Sequence, residues 1–421
     1  MNDSKIRVMT IGLCCLSLAL ILTAAAGAQE ETVVIGLNVP LTGSYHLQGK
    51  DEVGAYKLAI EQINERGGIL GKRLAYVIKD TKTSATTARE NALTLIKDHG
   101  AAMITGGSSS AVAIAQSDVC QQYGRIFMAA LTHSNATTGH MRNKAGYVVQ
   151  KAHRHTFRWY FNAWMTGRAL GPFLVDRFGE GKEYYYITAD YTWGHSLEES
   201  LRWISEMAGC DTIGAVRTPL GQKGFQKELL AAKKAKPDIL VLVLFGQDLI
   251  TALKQADQMG IKKRTRIVVP LMELNMAHGV GHEVLSGVYA TVNWYWGLRD
   301  RFPGTKAFVD SFRKRYGKAP GSSAAAAWVA VHQWASAVER AGTFDTGSVI
   351  KALEGHKFVL LKDEEEWRSW DHQAISSVYI VTGKEKSGAV DEWDLLKIID
   401  EKKGDQVMRS MEENPVILEP L

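Results

Sequence analysis

The stretch AAMITGGSSSAVAIA, residues 101–115, decides the fold. An apolar run ends at two glycines, three serines follow, and an alanine- and valine-rich segment with helical character begins immediately after. Small residues at such a corner let a ligand come close to the main chain, and Ser110 is of the type that caps a helix. A helix start presents unpaired N–H groups and the positive end of a dipole, so it suits negative charge. The corner therefore predicts a parallel strand whose carboxyl end meets a helix N-terminus.

The same unit recurs outward in both directions. VVIGLNV (33–39) is a continuous apolar run of the kind a strand buried on both faces shows, and Val53, Tyr56, Ile60 and Ile63 follow at helical spacing until Gly67-Gly68. LAYVIKD, the helix ATTARENALTLIKDHG, the strand AAMIT, a helix from the serine corner to Tyr123 and the strand IFMAAL complete a first series. A second series follows YVVQ: a helix over 157–179, the strand YYYITA, the helix SLEESLRWISEMAG, TIGAV, FQKELLAAKKA, ILVLVLF, LITALKQADQMG and RIVVP. GVYATVNWYW leads back as a strand, then come helices KAFVDSFRKRYG and AAAAWVAVHQWASAVERAG. Strands alternating with helices over short connections predict parallel, doubly wound sheets, here two of them. With no Pro- or Gly-rich linker between the halves, the joins are expected to be hinges. Ligands of such sheets bind outside the carboxyl ends of the strands, where the serine corner lies.

A chain of 421 residues exceeds what one core usually serves. Lys5 and Arg7 precede an apolar run from Ile11 to Leu22, and Ala26 and Ala28 have the spacing signal peptidase reads, so residues 1–28 are expected to be a signal peptide cut after Ala28. No later stretch reaches the ~20 apolar residues of a membrane span. Of the formal +5, Lys5 and Arg7 against Asp3 contribute +1, leaving +4, which is no nucleic-acid footprint. Cys120 and Cys210, placed in different halves, are expected to be free and buried.

Other constellations carry less. His133, His140, His153 and His155 lack metal-site spacing, and neither a metal nor a cofactor is expected. GVGHEV has two glycines without the third of a dinucleotide fingerprint; GGILGK lacks the phosphate-loop pattern. Trp159, Phe161 and Trp164 fall on a predicted helix and are expected in the core, whereas Trp294 and Trp296 share one face of a predicted strand beside the cleft and would wall off a solute.

The order VVIGLNVPLTGSYHLQGKDEVGAYKLAIEQINERGGILGKRLAYVIKD, GGSSSAVAIA, DYTWGHS, PDILVLVLFGQD and WDHQAISSVYIV closely resembles the periplasmic receptors of the leucine/isoleucine/valine type, which feed ABC importers, over about residues 31–385. The resemblance implies two doubly wound α/β lobes joined by three hinge crossings, closing on a solute like a flytrap. Lobe 1 would comprise 29–150 and 294–358, lobe 2 151–293 and 359–400, and 401–421 a tail. The crossings would fall near Gln150, Asn293 and Phe358.

Carried over position by position, the resemblance puts the serine that holds a solute carboxylate at Ser110, with Ser108 and Ser109 in the same loop. It puts the next loop at Leu131, Thr132 and His133, the residue against the solute side chain at Gln48, near Tyr45 and His46, and the second-lobe aromatics at Trp193, beside Tyr191, and Phe245. Two positions depart. Leu271 stands where the family has the carboxylate that pairs a solute ammonium, with Glu273 two residues on, and His133 replaces a threonine. What the resemblance implies is a monomeric extracytoplasmic receptor that takes a small carboxylate-bearing solute, amino-acid-like, amide or aromatic acid, and passes it to an ABC permease. The alternatives are a ligand-sensing input for a membrane signalling partner and an exported hydrolase using Ser110, for which no base, metal or cofactor signal is present.

Overall fold

The computed structural model describes residues 31–139, 141–142, 148–149 and 151–421. The expected leader, the crossing at Gln150 and His140 lie outside them. In the first sheet β1 (Thr32–Val39), β2 (Arg73–Asp80), β3 (Met103–Gly106), β4 (Ile126–Ala129) and β5 (Thr156–Arg158) are all parallel, in the order β2-β1-β3-β4-β5. Helices α1 (His46–Glu65), α2 (Ala85–Lys97) and α3 (Ser110–Gln122) connect them. β1 is buried over its last five residues, as its apolar run requires, and α1 turns Tyr56, Ala59, Ile60 and Ile63 inward.

The second sheet has the order β7-β6-β8-β9-β10-β11-β12, in which β6 is Glu183–Ala189, β7 Asp211–Thr218, β8 Ile239–Val243, β9 Arg266–Val269, β10 Tyr289–Val292, β11 Val378–Gly383 and β12 Leu396–Lys402. The first five are parallel; β11 and β12 join antiparallel from the late part of the chain. Helices α4 (Ala163–Phe178), α5 (Thr192–Met207), α6 (Gln226–Ala235), α7 (Gly246–Gln258) and α8 (Leu274–Val280) belong to this half. Two further helices, α9 (Pro303–Tyr316) and α10 (Ser322–Ala341), return to the first: Tyr316 Oη donates to the Gly54 carbonyl at 2.8 Å and Trp328 Nε1 to Gln62 Oε1 at 2.8 Å, both on α1.

Several local expectations are corrected. The helix predicted from Phe157 begins only at Ala163, because Thr156–Arg158 pairs with β4 and Asn162 caps the helix, its Oδ1 accepting from Met165 N at 2.9 Å. Trp159 and Phe161 are buried on the connecting segment, not on a helix. Trp294 and Trp296 do not share a strand face, since β10 stops at Val292 and Trp296 opens a 3-10 turn. Trp294 Nε1 donates to Thr305 Oγ1 at 2.9 Å and Trp296 Nε1 to the Trp393 carbonyl at 3.0 Å, so both serve packing. The tail, which shows no period, pairs Ile417–Leu418 with Lys151–Ala152, and Gln121 Nε2 of α3 donates to the Pro420 carbonyl at 2.9 Å. Cys120 and Cys210 are free and buried. Among the described residues no helix is long and apolar enough to cross a membrane.

Where the three segments between the sheets meet, Lys362 is wholly buried. Its Nζ donates to the Asn293 carbonyl at 2.9 Å, Ser376 Oγ at 2.5 Å and the Ser377 carbonyl at 3.1 Å, lies 3.6 Å from Glu365 Oε1, and sits 5.1 Å from the Trp159 ring centroid. Glu365 in turn accepts from Trp159 Nε1 at 2.9 Å. One ion pair thus ties residues of all three connections together.

Candidate functional site

The carboxyl ends of six parallel strands converge on one cavity of about 250 Å³. β3 supplies Ser108, Ser109 and Ser110; β4 supplies Leu131, Thr132 and His133; Tyr45 follows β1. From the other sheet Tyr191 and Trp193 follow β6, Phe245 follows β8 and Leu271 follows β9.

The serine loop is shaped by backbone proximity. Gly106 sits at φ +133, and a Cβ there would lie 2.2 Å from the Asn38 carbonyl oxygen, so only glycine lets the loop turn against β1. The helix cap is Ser109, not Ser110: its backbone is extended, and no side chain accepts from the first-turn amides. Ser110 is the first helical residue, and its Oγ accepts from Ser134 N at 3.2 Å, leaving its proton free for another acceptor. Behind Ser134 stands the buried Arg158, which donates to the Ser134 carbonyl at 2.5 Å, to Thr138 Oγ1 at 2.6 Å and to Gln373 Oε1 at 2.6 Å. All three acceptors are uncharged. Burial pulls its pKa down to about 9, with Asp371 opposing, so it stays cationic at neutral pH.

The first loop is held by Asp80 at the end of β2. Its Oδ1 accepts from Leu41 N at 2.9 Å, Thr42 N at 3.2 Å and Lys82 N at 2.8 Å, and its Oδ2 from Thr42 Oγ1 at 2.6 Å. The PLTG segment and this aspartate therefore act as one unit that places Tyr45.

Side chains from the two sheets touch across the cavity. Tyr45 Oη and Tyr191 Oη lie 2.6 Å apart, and the Tyr45 and Phe245 rings meet edge to face at 5.1 Å. Gly246, at φ +60, is packed so closely that a Cβ would lie 2.8 Å from the Ser44 carbonyl oxygen of the opposite half. Trp193 Nε1 donates to His133 Nδ1 at 3.1 Å. An indole N–H can only donate, so Nδ1 accepts and the proton sits on Nε2, which donates to Thr166 Oγ1 at 2.9 Å. Burial, with the Arg158 charge, holds the His133 pKa well below the ordinary value, in keeping with a neutral ring. Both nitrogens are thereby engaged. His133 has no proton left for a solute and makes no bond to Ser110.

Gln48 and Glu273 are not on the cavity wall. Gln48 is buried with its Nε2 donating to Asn275 Oδ1 at 2.7 Å. Glu273 is fully buried, accepting from Tyr160 Oη at 2.7 Å, Ser323 N at 3.1 Å and the Ser322 hydroxyl, so it caps the start of α10 from the opposite half. Leu271 does line the cavity, as an apolar wall. His46 turns its Nδ1 back to the Gly43 carbonyl at 3.0 Å. Sequence reasoning missed Glu52, fully buried under the cavity and hydrogen-bonded to the Ser108 hydroxyl. Its signal was a charge on the stripe of α1 that carries Tyr56 one turn later. Among the described residues no group of three or more His, Cys, Asp or Glu is placed to hold a metal.

A family model described as periplasmic binding protein matches residues 32–389, which hold the first sheet and six of the seven strands of the second. The chain belongs to the periplasmic binding protein family. Similar members include a Brucella melitensis Leu/Ile/Val-binding protein homologue, 24% identical over 346 residues that cover 80% of this chain and 84% of that protein. An amino acid ABC transporter substrate-binding protein from Pseudomonas fluorescens superposes with a TM-score of 0.83 at 26% identity, covering 92% of this chain and 99% of that one. At 20% identity and a TM-score of 0.78, the same fold is seen in a Rhodopseudomonas palustris solute-binding protein solved with 3,4-dihydroxybenzoic acid, covering 89% of this chain and 98% of that one.

Proposed function

We propose that this periplasmic binding protein is an extracytoplasmic receptor, its leader removed after Ala28, whose two lobes close on a small carboxylate and present it to an ABC permease. We assign 29–158 and 294–358 to lobe 1 and 159–293 and 359–400 to lobe 2, the first boundary falling beyond residue 150 because Thr156–Arg158 pairs in the first sheet. The observation that carries the reading is the composition of the cavity wall. It offers three serine hydroxyls, that of Thr132 and an uncapped helix start on one side, four aromatic rings, the neutral His133 and two leucines around the rest, and no carboxylate. The solute carboxylate sits against Ser110, Ser109 and the first amides of α3, with the Arg158 charge behind them. Its apolar body, aromatic or branched aliphatic, fills the space between Trp193, Phe245, Leu131 and Leu271. With no acid at Leu271 and Glu273 turned away, an α-ammonium has no charged partner at the wall. That favours an aromatic or aliphatic acid over an amino acid, and the Rhodopseudomonas palustris protein shows that this fold accommodates an aromatic carboxylate.

Closure follows from shared contacts. Each lobe supplies only part of the cavity, so the solute stabilises the closed form by its differential affinity for it. In solution scattering, saturating benzoate is expected to lower the radius of gyration of the wild type. Gly246→Ala, which places a methyl against Ser44 only in the closed form, is expected to weaken benzoate binding about tenfold, or ~1.4 kcal/mol. Absence of any calorimetric signal with benzoate and other small carboxylates, or an unchanged radius when they bind, would overturn the reading.

A further inference from the structure

Under the serine loop, Glu52 is a buried acid in an unusual position. Its Oε1 is hydrogen-bonded to the Ser108 hydroxyl, its Oε2 has no partner, and among the described residues no basic side chain pairs with it. The groups around it are accounted for. Asp51, its neighbour on α1, is paired with Lys318; Tyr56, one turn on, bonds Thr105 Oγ1 at 2.9 Å; Glu273 and Tyr160 face it from the opposite side, bonded to each other. Among the described residues, Ser108 is the one cavity-lining residue hydrogen-bonded to this acid.

A serine hydroxyl has one proton and two lone pairs, and it rotates to suit its neighbour. If Glu52 is ionised, Ser108 must give its proton to the carboxylate and shows the cavity only lone pairs, with a negative charge behind them. If Glu52 is protonated, its O–H donates to Ser108 Oγ, and Ser108 turns its own proton into the cavity. We propose that Glu52, acting through Ser108, sets whether the pocket accepts an anion, and that binding of a carboxylate solute is coupled to uptake of one proton from solvent onto Glu52. The inference rests on the carboxylate reading above and deepens it, making Glu52 a specificity-determining residue that never touches the solute. Burial, with Glu273 and Asp51 adding and Ser108 opposing, pushes its pKa up to about 8, so the anion-accepting form prevails at neutral pH. An anion in the cavity raises that pKa further, and by linkage affinity falls as pH climbs through the free-protein value.

The test is calorimetric titration of the full chain with benzoate and with 4-methylpentanoate between pH 6.5 and 9.5. Affinity is expected to be flat below about pH 7 and to fall towards tenfold per pH unit above about 8. Near pH 8 and above, buffers of different ionisation heat should report proton uptake approaching one per solute bound. Glu52→Gln, which keeps the bond to Ser108 without a charge, should bind benzoate within a few-fold of the wild type at pH 7 and lose the slope. The uptake in the wild type and an infrared titration of 13C-glutamate-labelled protein, in which benzoate should carry the protonated carboxyl band to higher pH, stand independently of that variant. Binding that is level across the range, no proton uptake at alkaline pH, or a slope retained in Glu52→Gln overturns this inference alone. Absence of binding by either acid at every pH overturns the reading beneath it.

Discussion

Lys362→Met is expected to lower the free energy of unfolding by about 3–5 kcal/mol, measured by equilibrium denaturation. The reason is what the substitution leaves behind. Glu365 is fully buried beside Lys362, and removing the cation strands a carboxylate in a medium that solvates it poorly. Three further acceptors, the Asn293 and Ser377 carbonyls and Ser376 Oγ, lose their donor at the same time. Adding Glu365→Gln should recover a large part of the loss, because glutamine still accepts from Trp159 Nε1 but carries no charge. A loss well under ~1 kcal/mol for Lys362→Met would show that the pair contributes little, as exposed pairs do. The position has a second consequence. Since Lys362 joins residues of all three connections, the variant should also alter the ease of closure, and its benzoate affinity should change more than that of a surface control.

At pH 7, 4-methylpentanoate is expected to bind at least about a hundredfold more tightly than leucine, which differs only by an α-ammonium. Both carry the same branched body and the same carboxylate. The difference is the fate of a positive charge in a closed cavity walled by Leu271, Trp193, Phe245 and the neutral His133. Burying a charged group without a partner costs several kcal/mol, and each 1.4 kcal/mol is about tenfold in affinity. Competition calorimetry on one protein preparation reads the ratio directly. Leucine binding as tightly as the acid would mean that a carboxylate reaches the ammonium on closure, with Glu273 the first suspect.

The serine corner and the strand-end loops were legible because they follow from topology, whereas Tyr191, Trp193 and Phe245 came only with the family resemblance. Once alternating strands and helices dictate parallel sheets, the residues after each strand must gather at one edge, whatever their exact rotamers. Side-chain direction within those loops was not legible. Glu273 lies two residues from a wall position, yet its carboxylate turns to the start of α10, 49 positions away from its Ser322 partner. Nothing local in LMELN announces that partner. That both His133 nitrogens are engaged was not legible either, because the donor Trp193 and the acceptor Thr166 come from segments that only the folded chain brings together. Trp294 and Trp296 were misplaced for a different reason: an aromatic run at a strand end continues the period-two pattern past the last ladder bond. Glu52 was the readable clue passed over, an acid on the buried stripe of α1 between Gln48 and Tyr56.

The most direct measurement is the affinity of Ser110→Ala for benzoate at pH 7, taken together with its unfolding midpoint. The hydroxyl already accepts from Ser134 N, so its proton is available for a carboxylate, and losing a charge-assisted hydrogen bond costs about 1.5–3 kcal/mol. The expected result is binding weakened between about tenfold and a hundredfold with the fold retained. Undiminished affinity in a folded Ser110→Ala protein would contradict the account, because the solute would then be held by something other than the serine loop.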